Sequence, residues 1–260
     1  MKFLIIGGGN AALRYVESLL WDNDIDIVLC SMDVCGKTRK LAREFNLPIV
    51  SIQELSNDTI NSYKCIIVCL PPSVKTTYVK HIIDGLGFLG TIILEKPLAI
   101  TFEDLRYYED LLLRLKQKCA VLCLRDYLPE TYCIPSAPQY DIVFYSEIKD
   151  FRNNIIHQLP HVLSWLYTNK HIVKSVRIID NNLVGETESG PFSIVFESNM
   201  DSPSVIINGI KYPPLNYRKL LLNAVKEIML RDAALARNDM EKAIEVASFI
   251  CQILADQPNK

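Results

Sequence analysis

No run of like charge, no pair of cysteines at Cys-x-x-Cys spacing and no long apolar stretch occurs in this sequence, and each absence excludes a class of function. The net charge is only −2, and basic residues come in short groups such as Lys37, Arg39 and Lys40. Groups of that size read as solvated helix faces, so neither nucleic acid nor an anionic membrane surface is an expected partner. The first apolar run, 3–6, ends at three glycines and is too short for a secretory leader. Nothing further along approaches the roughly 18 apolar residues of a membrane span. There is no internal repeat and no low-complexity segment. The eight cysteines fall mostly inside apolar runs, which points to free buried thiols in a reducing cytoplasm rather than to disulfides or a metal site.

What is present is an ordinary globular composition, 49% hydrophobic and 22% charged, in a chain of 260 residues that can bury one large core or two smaller ones. Apolar runs at 2–6, 25–30, 64–70, 91–94 and 119–124 alternate with helical patterns near 10–20, 37–45, 76–86 and 102–117. That alternation predicts a doubly wound parallel sheet covered on both faces. The three prolines within 129–139 mark a crossing segment. Beyond it, 141–148, 175–179, 192–197 and 204–207 alternate polar with apolar residues, as strands of a half-solvated antiparallel sheet do. One helix near 160–168 interrupts them, and amphipathic helices near 216–232 and 239–255 close the chain. The expected fold is α/β, with a nucleotide-binding domain over 1–121 and a smaller α+β domain, mainly antiparallel, over 122–260.

The turn Gly7-Gly8-Gly9-Asn10-Ala11-Ala12 has the G-x-G-x-x-A form. Gly7 allows the tight turn after the strand, Gly9 leaves room for a pyrophosphate, and Ala12 lets helix and strand pack closely. The N–H groups of Asn10 and Ala11 at the helix start then face the phosphates. Glycine clusters are also plain turns, but this one follows a strand and opens a helix, as in a Rossmann-type domain. At the end of the second strand Ser31 and Asp33 are the candidates for the adenosine ribose. Asp33 suits the ribose hydroxyls, whereas Ser31 with Lys37 or Arg39 suits a 2′-phosphate, so NAD and NADP both stay open.

The glycine turn, Leu70-Pro71-Pro72-Ser73 and Glu95-Lys96-Pro97-Leu98 together resemble the glucose–fructose oxidoreductase and inositol 2-dehydrogenase family, Gfo/Idh/MocA. The segment Arg125-Asp126-Tyr127-Leu128-Pro129 is similar to its basic–aromatic–proline segment. The resemblance implies that Leu70, Pro71 and Pro72 border the nicotinamide ribose, that Glu95 helps hold the cofactor and that Lys96 reaches the oxygen of the reacting carbon. A lysine at the carboxyl end of a buried parallel strand enters the crevice where such folds bind ligands. The plain alternative is a surface lysine in a turn.

The family's second domain carries an Asp and a His four residues apart, and His157 and His161 stand at those positions here. His161 matches, while His157 replaces the aspartate. Two structural histidines at a domain junction are the alternative, and a metal would need a third ligand. The resemblance implies hydride transfer between NAD(P) and a secondary alcohol, ketone or imine of a sugar, nucleotide-sugar or cyclitol. Lys96, His161 and His157 are then the catalytic candidates, and Arg125 and Tyr127, with the two histidines, contact substrate. A homodimer or higher homo-oligomer through the exposed sheet face is expected. A non-catalytic dinucleotide-binding or scaffold protein on the same fold is the alternative.

Overall fold

The computed structural model describes residues 1–31, 36–115, 117–128, 132–146, 148–198, 204–212 and 217–257. They form two compact units, each discontinuous in sequence: Met1–Leu98, Arg106–Leu122 and Tyr217–Glu241 in one, Ala99–Leu105, Cys123–Asn216 and Lys242–Lys260 in the other.

The first unit is built on six parallel strands: β1 (Lys2–Ile6), β2 (Asp26–Ser31), β3 (Ile49–Ser51), β4 (Cys65–Val68), β5 (Thr91–Glu95) and β6 (Cys119–Leu122). Their spatial order is β3-β2-β1-β4-β5-β6. Helices α1 (Asn10–Leu19), α2 (Gly36–Glu44), α3 (Asn57–Ile60), α4 (Pro72–Lys80) and α5 (Phe102–Arg114) alternate with them. Phe3, Leu4, Ile5 and Ile6 of β1 and all of β4 are fully buried, because helices cover both faces of a central parallel strand. Each such side chain contributes about 1.5–3 kcal/mol by burial.

Register brings the carboxyl ends of the strands level. Ile6 pairs with Cys30 and with Val68, and Val68 pairs with Leu94. The segments leaving β1, β2, β4 and β5 therefore emerge at one edge. The chain runs from β1 outward to β2 and β3, then crosses back to β4, so strand order reverses between β1 and β4. Ligands of open α/β sheets bind at this kind of reversal.

Two helices close the sequence, α8 (Tyr217–Leu230) and α9 (Ala233–Ala255). Sequence reading puts α8 with the second domain, but it packs on α1 in the first unit. Arg218 pairs with Glu17 at 3.0 Å and Lys226 with Asp22 at 2.6 Å, and the Lys226 hydrogen bond holds the Asp22 carboxyl below its usual range.

The second unit holds β7 (Tyr140–Ser146), α6 (Phe151–His157), α7 (Leu159–Thr168), β8 (Val173–Ile179), β9 (Asn182–Thr187), β10 (Gly190–Ser198), β11 (Val205–Ile207) and β12 (Ile210–Tyr212). Its sheet runs β12-β11-β7-β10-β9-β8. The pairings are antiparallel except at the centre, where β7 and β10 run parallel. Trp165, Leu163 and Leu159 of α7 share a core with Tyr140, Ile142 and Ile194 of the sheet. The β8–β9 hairpin turns through Asp180 and Asn181, and the β11–β12 hairpin through Asn208 and Gly209, all four at positive φ. Two-residue hairpins of the mirror-image type need that conformation at both central residues.

Candidate cofactor site and catalytic residues

At the switch point the glycine turn is shaped by contacts that only glycine permits. Gly7 has φ +116°, and a Cβ on it would lie 2.5 Å from the Cys69 carbonyl oxygen. Its N–H donates to the Cys30 carbonyl at 3.0 Å, tying the turn to β2. A Cβ on Gly8 would run into the Thr38 backbone in the first turn of α2. Gly9 differs from both. It is the N-cap of α1 at φ −83°, with nothing within 4 Å of a Cβ.

No side chain caps α1, and no acidic residue sits in its first turn. Asn10 is exposed, Ala11 half-buried and Ala12 buried. Open space at Gly9, free of backbone crowding, lies beside N–H groups at a positively polarised helix end. The residues present therefore fit the pyrophosphate of a dinucleotide. Ser31, half-buried, ends β2 at the same edge, whereas Asp33 lies outside the described residues.

The segment leaving β4 runs through half-buried Leu70 to Pro71, exposed and at the N-cap of α4, and Pro72, buried in its first turn. Proline fits there because the missing N–H has no helical partner in any case. Glu95 at the end of β5 and Lys96 just beyond it are half-buried and Pro97 is buried, and the Lys96–Pro97 peptide is cis. The fully buried Tyr15 hydroxyl of α1 faces Glu95 without a hydrogen bond of normal geometry. Burial first, and the Glu95 charge second, hold the Tyr15 pKa well above its usual value. Lys75 of α4 is also fully buried, and its ammonium donates to the backbone carbonyls of Glu95 and Pro97. Sequence reading passed over both Tyr15 and Lys75. The only trace they leave is their spacing within the buried stripes of α1 and α4.

Within the second unit, His161 lies in the first turn of α7, where its N–H donates to Gln158 O at 3.0 Å. Its ring Nδ1 is 3.2 Å from the sulfur of Cys123, a buried residue that sequence reading treated as inert. His157 is the last residue of α6 and is exposed. Arg125 and Tyr127 belong to a short 3-10 turn, Leu124–Tyr127, in which Tyr127 is half-buried. Asp126 between them anchors that turn. Its carboxylate accepts from Ser164 at 2.8 Å and Thr168 at 3.0 Å on α7, and pairs with Lys242 of α9. Among the described residues no group of three or more His, Cys, Asp or Glu side chains is arranged to hold a metal ion.

Residues 1–122 match the family model for the Gfo/Idh/MocA oxidoreductases, described as an oxidoreductase family with an NAD-binding Rossmann fold. No curated protein matches the chain in sequence. Solved structures match across both units. Myo-inositol dehydrogenase from Lactobacillus casei, crystallised with NAD(H) and myo-inositol, is 13% identical with TM-score 0.73, over 99% of this chain and 95% of its own. A Gfo/Idh/MocA oxidoreductase from Vibrio cholerae is 13% identical with TM-score 0.70, over 99% of each chain. UDP-N-acetylglucosamine 3-dehydrogenase from Acidithiobacillus ferrooxidans is 10% identical with TM-score 0.68, over 96% of this chain and 99% of its own. At such identities the likeness is one of fold. Residues 1–122 are thus similar in sequence to the NAD-binding Rossmann domain of the Gfo/Idh/MocA oxidoreductases, and the glycine turn and the switch-point geometry agree with that match.

Proposed function

We propose that the chain moves hydride between a nicotinamide dinucleotide, NAD or NADP, and a secondary alcohol or ketone, or the corresponding imine, on a sugar, nucleotide-sugar or cyclitol. The observation that carries this reading is the convergence of the glycine turn, Pro71–Pro72 and Glu95–Lys96 at one edge of the parallel sheet. The substrate class rests on the inositol and nucleotide-sugar dehydrogenases among the structural neighbours.

When bound, the nicotinamide supplies the hydride acceptor or donor. Gly9, Asn10 and Ala11 hold the pyrophosphate, Ser31 and Asp33 the adenosine ribose, and Leu70, Pro71, Pro72 and Glu95 the nicotinamide ribose. In the direction of oxidation the neutral Lys96 amine takes the substrate hydroxyl proton while the carbon loses its hydride. In reduction the ammonium returns that proton to the carbonyl oxygen. His161 serves as the second acid–base group, and His157, Arg125 and Tyr127 orient the substrate.

The face of the second sheet opposite α7 exposes Ile179 and carries the half-buried Val143, Val195 and Ile206, and we propose that it pairs with a second copy of the chain. Light scattering that gives a strict monomer at micromolar concentration rejects that assembly. A cytoplasmic location is proposed from the free thiols. No described helix is long and apolar enough to cross a membrane.

Titration with NADH and NADPH, followed by a turnover screen over sugars, cyclitols and nucleotide-sugars, tests the function. Lys96→Met should lower turnover roughly 10²–10⁴-fold with cofactor binding nearly intact. His161→Asn should cost less, and His157→Asp should be tolerated. Turnover of Lys96→Met at the wild-type rate removes the catalytic reading.

A further inference from the structure

We propose that Lys75 is a positioning residue for Lys96: a buried ammonium that ties together the two backbone carbonyls on either side of it. The inference rests on the reading of Lys96 as the proton-handling group.

Lys75 is 0% exposed and counts among the largest fully buried side chains of the protein. Lysine is almost never buried to that degree without a polar partner, because removing an ammonium from water is costly. Its neighbours on the buried face of α4 are Pro72, Thr76 and Val79, a stripe in which methionine or leucine would fill the same space without that cost. What the ammonium adds is direction. Its Nζ donates to the carbonyl of Glu95, the last residue of β5, and to the carbonyl of Pro97, two residues on.

Those two acceptors bracket Lys96, so one side chain sets the path of the backbone from which Lys96 projects. Hydrogen bonds from a charged donor are the stronger kind, and these two tie the last residue of β5 to Pro97, which lies beyond the sheet. A segment leaving a strand end is otherwise free to shift. A displacement of about 1 Å in a group that must meet a reacting atom costs on the order of 10²-fold in rate. The Glu95 carboxylate and the Lys75 ammonium also act with opposite sign on the buried Cys69 thiol, so the three groups lie near one another.

Lys75→Met keeps the volume and removes both donors. In the full-length protein its kcat should fall roughly 10–100-fold, while the substrate KM and the NADH dissociation constant stay within about threefold of wild type. A second readout needs no turnover. Competitive acylation with acetic anhydride, followed residue by residue by mass spectrometry across pH, should show a changed Lys96 rate in Lys75→Met, with the exposed Lys37 unchanged. Lys75→Gln keeps an uncharged donor one bond shorter, and should lie between the methionine variant and wild type in both measurements.

If Lys75→Met does not fold, Lys75→Gln decides. A folded variant with wild-type kcat and a wild-type Lys96 acylation profile overturns the proposal. A Lys96 profile that moves with Lys75, in a protein whose Lys96→Met variant turns over normally, upholds the positioning and rejects Lys96 as the proton-handling group. An unchanged profile, with Lys96→Met inactive, rejects the positioning alone.

Discussion

The sulfur of Cys123 lies 3.2 Å from Nδ1 of His161, with the thiol buried and the imidazole half-buried. The same sulfur is 3.9 Å from the Pro160 carbonyl, so the nearer and better partner for its single proton is the ring nitrogen. A thiol that donates to Nδ1 leaves the neutral imidazole with its proton on Nε2. The bond at one ring nitrogen thus decides what the other can offer. Cys123→Ser retains a donor and should keep turnover within a few-fold of wild type. Cys123→Ala should lower kcat about 3–10-fold, the scale expected when an orienting partner rather than the reacting group is lost. Equal kcat for wild type and Cys123→Ala would falsify this role.

Gly7 and Gly9 should fail in opposite ways. Gly7→Ala puts a Cβ 2.5 Å from the Cys69 carbonyl at φ +116°, and a strained backbone of this kind costs about 1–3 kcal/mol. Its urea midpoint should drop. Gly9→Val projects into open space at an ordinary φ, so the fold should survive. NADH affinity should weaken at least about tenfold, because the valine takes the room left for the pyrophosphate. A Gly9→Val protein that binds NADH as tightly as wild type contradicts the cofactor site.

How much of this was legible in the sequence depended on burial. β1, β2, β4, β5 and β6 read clearly because strands covered on both faces are continuous apolar runs. β3 has three residues and left no such run. α6 was missed because only Asn154 and Ile155 of its seven residues are buried. It is held by polar contacts, an Asp150 cap on Asn153 and an Asn154 side chain bonded to Ile148 O. Alternation marked β7 and β10, but a period of two cannot tell a parallel pair from an antiparallel one. β9 and β12 were passed over, and the turns that precede them, Asp180-Asn181 and Asn208-Gly209, are the signal that could have found them. At the site, the segments that follow β1, β4 and β5 were readable as motifs. Lys75, Cys123 and Asp126 were not, since each matters through a partner distant in sequence.

Asp126 and Lys242 should be jointly replaceable but not singly removable. Their side chains are 10% and 19% exposed and 2.5 Å apart, and Asp126 also accepts from Ser164 and Thr168. Removing one member of a fully buried ion pair costs about 3–5 kcal/mol, and this half-buried pair should lose less than that but more than an exposed one. Asp126→Ala should therefore lower the urea midpoint more than any surface ion-pair deletion, Arg114→Ala at Asp84 for instance, which is worth at most about 1 kcal/mol. Asp126→Leu with Lys242→Met should recover much of the loss. If Asp126→Ala melts like wild type, the turn carrying Arg125 and Tyr127 is held by something else.

Alkaline instability follows from the buried thiols. Burial pushes Cys30, Cys119 and Cys251 up to about 12, with the charges of Glu54 at Cys30 and Asp104 at Cys251 adding to the shift. Cys65 and Cys69 are raised further by the same cause. An unfolded thiol titrates near pH 8.5, so between about 8.5 and 12 the native state holds protons that the unfolded chain has lost. Stability is then fully present below pH 8.5 and falls as pH rises, by about 1.4 kcal/mol per pH unit for each thiol. The urea midpoint should be flat from pH 6 to 8 and decline steeply from pH 9 to 10. Cys119→Ala removes one such proton, and it should make the decline shallower by about 1.4 kcal/mol per unit even though buried tyrosines add their own slope. In the native protein at pH 8 the exposed Cys133 should react quickly with a disulfide reagent, while Cys30, Cys65, Cys69, Cys119 and Cys251 wait for unfolding. A midpoint that holds level to pH 10, or a Cys119→Ala slope equal to wild type, means these thiols ionise in the folded chain.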